Sequence, residues 1–297
     1  MPDLSVIVLS YNTKNTTKNC LEKLHDSLDS SNLLSEIIIV DNDSKDGSVE
    51  MLKKILQKST AKITYKALFN KKNTGFAKGN NQGLKIANGK NILFLNSDVL
   101  IENIDWDGLI EYINQNPDIG ALTVKVKLSD GNIDPASHRG FPTVWNSFTY
   151  YSNLEKIFGR VPQLNKIFGG YHLKNLNLET VHEIDSPSGA FYLTSIDLMN
   201  KLNGFDDKTF FLYGEDLDLS YRMKQLGFKI LYYPKFSVLH LKSISGLKKN
   251  DSKIKNEAKG HFYSAMKKFY EKHYKNKYPK IIRSIVYYFI DLKRKSS

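Results

Sequence analysis

Short apolar segments that alternate with amphipathic ones constrain the fold of this 297-residue chain more than any other feature. The apolar runs have the length and continuity of strands buried on both faces. Strands are predicted at 4–10, 36–41, 63–68 and 92–95, and helices at 16–28, from 46, and at 76–87. Strands and helices that alternate at this spacing form βαβ units around a mainly parallel sheet. The sequence therefore predicts an α/β fold.

The second half of the chain is less regular. Glycine, proline, asparagine and aromatic residues are scattered through 129–185 without a clear period, which predicts a loop-rich insertion near the site. Further elements are predicted as a strand within 184–194, a helix at 215–225 that ends before Gly227, strands at 228–233 and 236–241 separated by Pro234, and helices after 251. The helices after 251 form a C-terminal extension.

Polar residues follow three of the predicted parallel strands. They are Tyr11 and Asn12, then Asp41, Asn42 and Asp43, and finally Asn96, Ser97 and Asp98. Ligands of such sheets bind beyond the carboxyl ends of the strands, so we expect a nucleotide site there. Neither a G-x-G-x-x-G fingerprint nor a P-loop follows the first strand, which argues against the common dinucleotide and P-loop sites. The alternative is that these residues only form turns.

Four ionisable residues suggest metal-assisted chemistry on a phosphorylated substrate. Asp98 ends a strand, and a hard cation often binds through one or two carboxylates plus substrate phosphates. Glu215 and Asp216 stand at a helix start, where they could instead cap the helix and interact with its dipole. His240 follows an apolar strand, where a hydrogen-bonded core histidine is the alternative.

Seven short motifs follow one another along the chain, at 6–12 (VIVLSYN), 40–48 (VDNDSKDGS), 73–81 (NTGFAKGNN), 95–98 (LNSD), 188–190 (SGA), 204–206 (GFD) and 211–222 (FLYGEDLDLSYR). In this order they resemble family 2 glycosyltransferases, and most closely the rhamnosyltransferase-like enzymes of bacterial surface polysaccharides. The resemblance covers residues 4–245. It implies a GT-A fold, a nucleotide-sugar donor, a divalent metal, either Mn²⁺ or Mg²⁺, and inversion at the anomeric carbon.

The resemblance also assigns roles to residues. The implied donor-binding set is Ser10, Tyr11, Asn12, Asp41, Asn73, Gly75, Asn80, Asn96, Ser97 and Gly189. Within it, Asp41 would bind a pyrimidine base and Tyr11 would lie against that base. Asp98 and His240 would hold the metal, although Asn96 replaces the first acid of the family's Asp-x-Asp motif. Asp216 would be the catalytic base, with Glu215 on the acceptor side.

The net charge of +12 is concentrated at the C-terminus. Residues 242–297 contain 16 Lys or Arg against 4 Asp or Glu, and residues 1–241 are neutral. The apolar segment 281–292 lies among these basic residues, which predicts an amphipathic helix on an anionic membrane surface. The alternative is that this helix packs on the core or on a second copy in a homodimer. Because no nucleic-acid-binding motif accompanies the lysines, nucleic acid is not an expected partner.

We therefore expect a glycosyltransferase domain at 1–245 and a basic helical extension at 246–297. The N-terminus has no signal segment, and Cys20 is the single cysteine, so we expect a cytoplasmic protein peripheral to the inner face of the membrane. The predicted function is transfer of a sugar, with dTDP-rhamnose as the first donor, to a saccharide or a lipid-linked saccharide. The alternatives are another UDP- or dTDP-sugar (galactose, N-acetylglucosamine or galactofuranose) and a catalytically silent sugar-nucleotide- or polysaccharide-binding subunit.

Overall fold

A computed structural model describes residues 1–242 and 252–296 of the chain. The predicted boundary between residues 245 and 246 lies outside the described residues. The strands are β1 Leu4–Ser10, β2 Ser35–Asp41, β3 Ile63–Phe69, β4 Asn91–Asn96, β5 Val99–Ile101, β6 Ile119–Leu128, β7 His182–Glu183, β8 Phe191–Ser195 and β9 Lys229–His240. The helices are α1 Lys14–Asp29, α2 Ser48–Ile55, α3 Phe76–Leu84, α4 Trp106–Gln115, α5 Val144–Tyr151, α6 Leu154–Phe158, α7 Leu164–Phe168, α8 Ile196–Lys201, α9 Glu215–Gln225, α10 Ser252–His273 and α11 Lys280–Ser296.

One mixed sheet organises the described residues, in the order β3-β2-β1-β4-β8-β6-β9-β5, with β7 paired to β9. Strands β1 to β4 pair in parallel, as do β6 and β9. Strand β8 runs antiparallel to both β4 and β6, and β5 runs antiparallel to β9. The predicted α/β class is thus confirmed, and the carboxyl ends of β1, β2 and β4 lie side by side.

Helices cover both faces of the sheet, which explains why its strands are almost continuously apolar. Leu24 of α1, Leu52 of α2 and Leu109 of α4 are buried on one face. On the other face, α3, α8 and α9 bury Ala77, Met199 and Leu219. Full burial of such a leucine or methionine contributes roughly 1.5–3 kcal/mol relative to an exposed position. The two cores therefore fix the positions of the loops at the strand ends.

The prediction of two strands separated by Pro234 is wrong. A single strand, β9, continues through the proline. Its register against β6 shifts there, because Val124 pairs with Tyr233 while the next residue, Lys125, pairs with Ser237. A bulge accommodates a residue that cannot donate a ladder hydrogen bond. The strand consequently reaches His240 in register with Val99 of β5.

The segment 129–185 also differs from the loop-rich expectation. It contains the helices α5, α6 and α7. Each is five to eight residues long, which is too short to show a helical period in the sequence. Aromatic contacts join them instead, since the ring of Phe168 in α7 lies 5.9 Å from Trp145 of α5 and 5.1 Å from Phe158 of α6. Packing between these helices, rather than amphipathic patterning, defines the segment.

Helices α10 and α11 follow residue 251 as predicted. Their core with α5 and α9 includes Phe141, Phe210, Leu217, Phe269, Tyr270 and Tyr274. Beside it, the fully buried Asp218 of α9 contacts Arg222 Nε at 2.8 Å, Lys272 Nζ at 2.6 Å and His273 Nε2 at 2.7 Å. Two cations, Arg222 and Lys272, and the His273 ring compensate the burial of this carboxylate, so α10 is tied to the helix that begins at Glu215. None of the described helices has the length and apolarity that a bilayer crossing requires.

Candidate active site

The loop after β1 is joined to the loop after β2. Ser10 is buried, and its Oγ lies 3.2 Å from Thr17 Oγ1 of α1. Asn12 has a φ of 52°, a conformation that asparagine tolerates better than most residues. Its side-chain oxygen accepts a hydrogen bond from Lys45 N at 2.7 Å. Tyr11 lies between them and is 44% exposed, so its ring is available to a ligand.

Asp41, at the end of β2, carries an unsatisfied acceptor. The residue is only 1% exposed. Its Oδ1 accepts a hydrogen bond from Ser44 N at 2.9 Å, whereas the buried Oδ2 has no hydrogen-bond donor among the described residues. Buried oxygens without a partner are uncommon in folded proteins. This oxygen therefore suits an N–H donor supplied by a ligand.

Asn42 holds the loop that contains Asn73 and Gly75, a role that sequence reasoning missed. Its Nδ2 donates to Asn73 Oδ1 and to Gly75 O, both at 3.1 Å. Gly75 has a φ of 87°, and a Cβ atom there would lie 2.5 Å from Phe211 O. Only glycine fits this close approach. The amide of Asn80 is used inside α3, where it donates to Phe76 O at 3.0 Å.

Gly189 brings the loop before β8 close to the end of β4. A Cβ atom at Gly189 would lie 2.8 Å from Phe76 Cζ and 3.9 Å from Asn96 Oδ1. The next residue along β4's loop, Ser97, has its Oγ 3.4 Å from Thr13 Oγ1. The predicted donor-binding residues from β1, β4 and β8 thus line neighbouring loops at one edge of the sheet.

Asp98 and His240 are brought together by the pairing of β5 with β9. Both are buried, and His240 Nε2 lies 3.2 Å from Asp98 Oδ1. These two atoms do not have the geometry of a hydrogen bond, so Nε2 has no hydrogen-bond partner in the part of the chain that the structure describes. On the other side of the ring, Nδ1 lies 3.2 Å from Asp134 Oδ2, and Lys242 Nζ contacts Asp134 Oδ1 at 2.7 Å.

Two opposing effects set the pKa values in this group. Burial alone would raise the pKa of Asp134, but hydrogen bonds from His240 and Lys242 outweigh it and hold that pKa well below its usual range. Burial would lower the pKa of His240, and the carboxylates of Asp134 and Asp98 together raise it. In both groups the hydrogen bonds and charges of the neighbours thus outweigh the effect of burial.

The donor set around His240 fits a divalent cation. A metal-ligating histidine usually donates its second ring N–H to a carboxylate, and Asp134 occupies that position at Nδ1. Carboxylate oxygen and imidazole nitrogen are acceptable to Mn²⁺. No cluster of three or more His, Cys, Asp and Glu residues with metal-binding geometry occurs within residues 1–242 and 252–296. The protein would therefore supply few ligands and leave the others to a bound phosphate.

Asp216 is fixed by two donors. Its Oδ2 accepts a hydrogen bond from Arg139 Nη2 at 2.6 Å, and its Oδ1 accepts one from Leu217 N at 2.7 Å. Arg139 Nη2 also donates to Pro187 O at 3.3 Å. The arginine was not among the predicted site residues, because it comes from the insertion and no recognised motif surrounds it. It is the main partner of the predicted base.

Glu215 has a different environment from its neighbour. The residue is 5% exposed, and its buried Oε2 has no hydrogen-bond partner among the described residues. Burial, followed by the negative charge of Asp216, raises the pKa of Glu215 to about 8. At neutral pH the protonated form of Glu215 is therefore favoured.

Comparison with known proteins assigns the chain to a family. The sequence profile described as "Glycosyl transferase family 2" matches residues 5–174, which is more than half of the chain. This range includes Asp41, Asp98 and Arg139 but ends before Asp216 and His240.

Two curated relatives are similar over part of their length. The O-antigen biosynthesis protein RfbC of Myxococcus xanthus is 24% identical over 71% of this chain and 15% of its own. Rhamnosyltransferase WbbL of Escherichia coli K12 is 27% identical over 50% of this chain and 51% of its own. The alignments thus span about half or less of each relative.

Two solved structures share the fold. GalNAc-T7 with UDP, GalNAc and Mn²⁺ superposes with a TM-score of 0.62 at 16% identity, over 91% of this chain and 48% of the other. The mannosyltransferase PcManGT of Pyrobaculum calidifontis, in complex with GDP-Man and Mn²⁺, gives 0.58 at 15% identity, over 97% and 70%. The GT-A-like arrangement expected from the sequence is confirmed.

Proposed function

We infer that this chain, which belongs to glycosyl transferase family 2, transfers a sugar from a nucleoside-diphosphate donor to a hydroxyl of a saccharide acceptor. The observation that carries the proposal is the buried contact of Asp98 with His240, backed by Asp134, at the edge of the sheet where Asp41 also lies. A nucleotide sugar needs a hydrogen-bond acceptor for its base and a cation-binding pair for its diphosphate. Here both would lie at one edge of the sheet. A rhamnosyltransferase among the relatives makes dTDP-rhamnose the first donor to test.

Asp41 is assigned to the base of the donor. Uracil and thymine both carry an imide N–H, which the free Oδ2 of Asp41 can accept. Guanine also carries a ring N–H and cytosine an amino group, so the preference for uracil or thymine is taken from the family resemblance. The half-exposed ring of Tyr11 supports a stacked base above this contact. The donor should therefore be a UDP- or dTDP-sugar.

Asp98 and His240 are assigned to a divalent metal, and Asp134 to the orientation of His240. When bound, such a metal neutralises charge on the departing diphosphate as a Lewis acid. The chain's own contribution is to hold the His240 ring through Nδ1 so that Nε2 faces Asp98. The Mn²⁺ in both solved structures is consistent with this assignment but belongs to those proteins.

Asp216 is assigned as the general base of an inverting transfer. Its carboxylate would take the proton of the acceptor hydroxyl while that oxygen bonds to the anomeric carbon, and the bond from this carbon to the diphosphate oxygen breaks on the opposite face. The transition state has oxocarbenium character. A positioned base contributes typically 10²–10⁴-fold to such a step. Glu215, one residue earlier, is placed on the acceptor side.

We propose that the acceptor is lipid-linked and that α11 binds the anionic inner face of the membrane. Support comes from an apolar stripe of α11, formed by Ile281, Ile285, Tyr288, Phe289 and Leu292, which are 43–70% exposed. At 100° per residue these five side chains share one face. Val286 and Ile290 lie on the opposite face, against the protein. Exposed Lys280, Lys293 and Arg294 lie at the ends of the helix.

The basic residues decide between two occupants of this stripe. Anionic headgroups would neutralise them. A second copy of the chain packed through the same stripe would bring like charges together. We therefore propose a membrane rather than a homodimer, and the glycosyltransferase would work in the cytoplasm at the membrane surface.

Thermal unfolding against UDP, dTDP, GDP and CDP, each with and without Mn²⁺, tests the donor site. A native-state ligand stabilises the protein by about 2.7 kcal/mol at a hundredfold excess over Kd. We expect a metal-dependent rise in Tm with UDP or dTDP only, followed by transfer from the matching sugar nucleotide. No shift with any nucleotide would contradict the proposal and favour a polysaccharide-binding subunit.

A further inference from the structure

Arg139 is anchored before it reaches the catalytic helix. Its backbone N–H donates to Ser186 O at 3.0 Å, and its carbonyl accepts from Ser186 N at 3.0 Å. The guanidinium donates hydrogen bonds to Pro187 O and to Asp216 Oδ2. Its side chain is 12% exposed and that of Asp216 is 11% exposed, so little water screens the pair. The arginine is thus held at both ends.

Arg139 contacts only one of the two adjacent carboxylates. Asp216 receives a charge-assisted hydrogen bond of 2.6 Å, whereas Oε2 of Glu215 receives none from the described residues. The other charged or titratable groups that interact with these residues or their neighbours are Asp218 and Arg222 on the same helix, Tyr192 of β8, and Asp134 and Tyr171 of the insertion. Arg222 is a cation, but it pairs with Asp218 at 2.8 Å. Arg139 contacts Asp216 and therefore compensates that carboxylate.

We propose that Arg139 is a positioning residue that selects Asp216, rather than Glu215, as the proton acceptor. It does so by orienting the Asp216 carboxylate between two donors, Arg139 Nη2 and Leu217 N. The raised pKa of Glu215 agrees with this division, because a carboxyl that remains protonated at pH 7 cannot act as the base. The inference rests on the proposed glycosyl transfer and adds a residue from the insertion to its machinery.

The first experiment measures kcat and donor binding of Arg139→Ala and Arg139→Lys. We expect kcat to fall by about 100-fold in Arg139→Ala, as for a misplaced catalytic group, while the donor-induced rise in Tm is retained. Arg139→Lys should give an intermediate kcat, because an ammonium supplies charge without the guanidinium fork. Added guanidinium ion should restore part of the activity of Arg139→Ala.

Arg222→Ala is the matched control. It also removes a largely buried arginine of α9. Arg222 pairs with Asp218 at 2.8 Å and donates to the backbone carbonyls of Leu202 and Gly204. We expect a lower Tm, and no recovery of kcat on addition of guanidinium ion. Rescue of Arg222→Ala to the same degree, or an unchanged kcat in Arg139→Ala, would overturn the inference.

A double-variant cycle tests the pairing without any activity assay. The changes in Tm caused by Arg139→Ala and Asp216→Asn should not add up to the change in the double variant. For Arg139→Ala and Glu215→Gln, the two changes should be much closer to additive. Additive losses for Arg139 and Asp216 would overturn the inference even if the wild-type chain transfers sugar. Non-additive losses in a wild-type chain that transfers no sugar would support the pairing and count against the proposed function instead.

Discussion

Asp134 and Arg139 lie five residues apart in one segment, and each holds a different functional side chain. Asp134 Oδ2 contacts His240 Nδ1 at 3.2 Å, and Arg139 Nη2 contacts Asp216 Oδ2 at 2.6 Å. Between them, a short 3₁₀ turn at Pro135–Ser137 is capped by the Asp134 carboxylate, which accepts from Ala136 N. The segment thus couples the position of the proposed metal ligand to that of the proposed base.

Asp216→Asn should abolish transfer and leave donor binding intact. The amide preserves the shape but cannot take a proton, so we expect kcat to fall by about 10²–10⁴-fold. Initial rates and nucleotide-induced Tm shifts measure the two effects separately. Glu215→Gln is the control and should retain most of the activity. If Asp216→Asn is fully active, another residue is the base.

Asp134→Asn should weaken metal binding without removing a ligand. Loss of such an outer partner typically costs 10–100-fold in metal affinity, because the histidine ring is no longer oriented. Calorimetric titration with Mn²⁺ in the presence of UDP or dTDP measures the affinity directly. Asp118→Asn removes an exposed carboxylate paired with Lys229 and should leave it unchanged. Equal affinities for both variants would show that Asp134 has no such role.

Asp41→Asn should remove the preference for uracil and thymine nucleotides. The substitution can retain the oxygen that accepts from Ser44 N while it places an NH₂ where the imide N–H would bind. An unsatisfied buried contact of this kind costs roughly 1–3 kcal/mol, which corresponds to about a 5- to 150-fold weaker Kd. Tm shifts with UDP and dTDP should shrink, while the Tm of the nucleotide-free variant stays close to that of the wild type. A clear fall in the Tm of the nucleotide-free variant would instead indicate a general structural defect.

Ile285→Glu should reduce binding to anionic vesicles at low salt. The substitution places a charge in the centre of the α11 stripe, where apolar burial in the interface drives binding. Cosedimentation with phosphatidylserine-containing and phosphatidylcholine-only vesicles measures the effect. Ser264→Glu adds the same charge at an exposed position of α10 and should reduce vesicle binding much less. A wild-type chain that ignores anionic vesicles but dimerises through Ile285 would establish the homodimer instead.

Glu215→Gln should stabilise the protein increasingly as the pH rises from about 4.5 to 8. The folded-state pKa of Glu215 is raised to about 8 from its ordinary value of 4.5. Between these values the carboxyl ionises in the unfolded chain but not in the folded one, so the wild type loses stability as the pH rises. Each unit of difference corresponds to about 1.4 kcal/mol. Urea unfolding at several pH values measures the gain. A constant difference between variant and wild type from pH 4.5 to 8 would contradict the raised pKa.

Local patterns explain which features were predictable. The buried strands β1, β2 and β4, helix α9 and its end at Gly227 follow from apolar periodicity and glycine chemistry, both of which are local. The contact of Asp98 with His240 was expected only through the family resemblance. The continuation of β9 past Pro234 was missed because a bulge depends on the partner strand.

The sequence by itself determined the fold class, the glycosyltransferase motifs and the basic character of the C-terminus, because these reside in contiguous residues. Only the tertiary structure decided which side chains support the site. Asp134 and His240 are 106 positions apart, and Arg139 and Asp216 are 77 apart. Such contacts depend on how the insertion packs on the sheet and on α9, and no spacing along the chain encodes that packing.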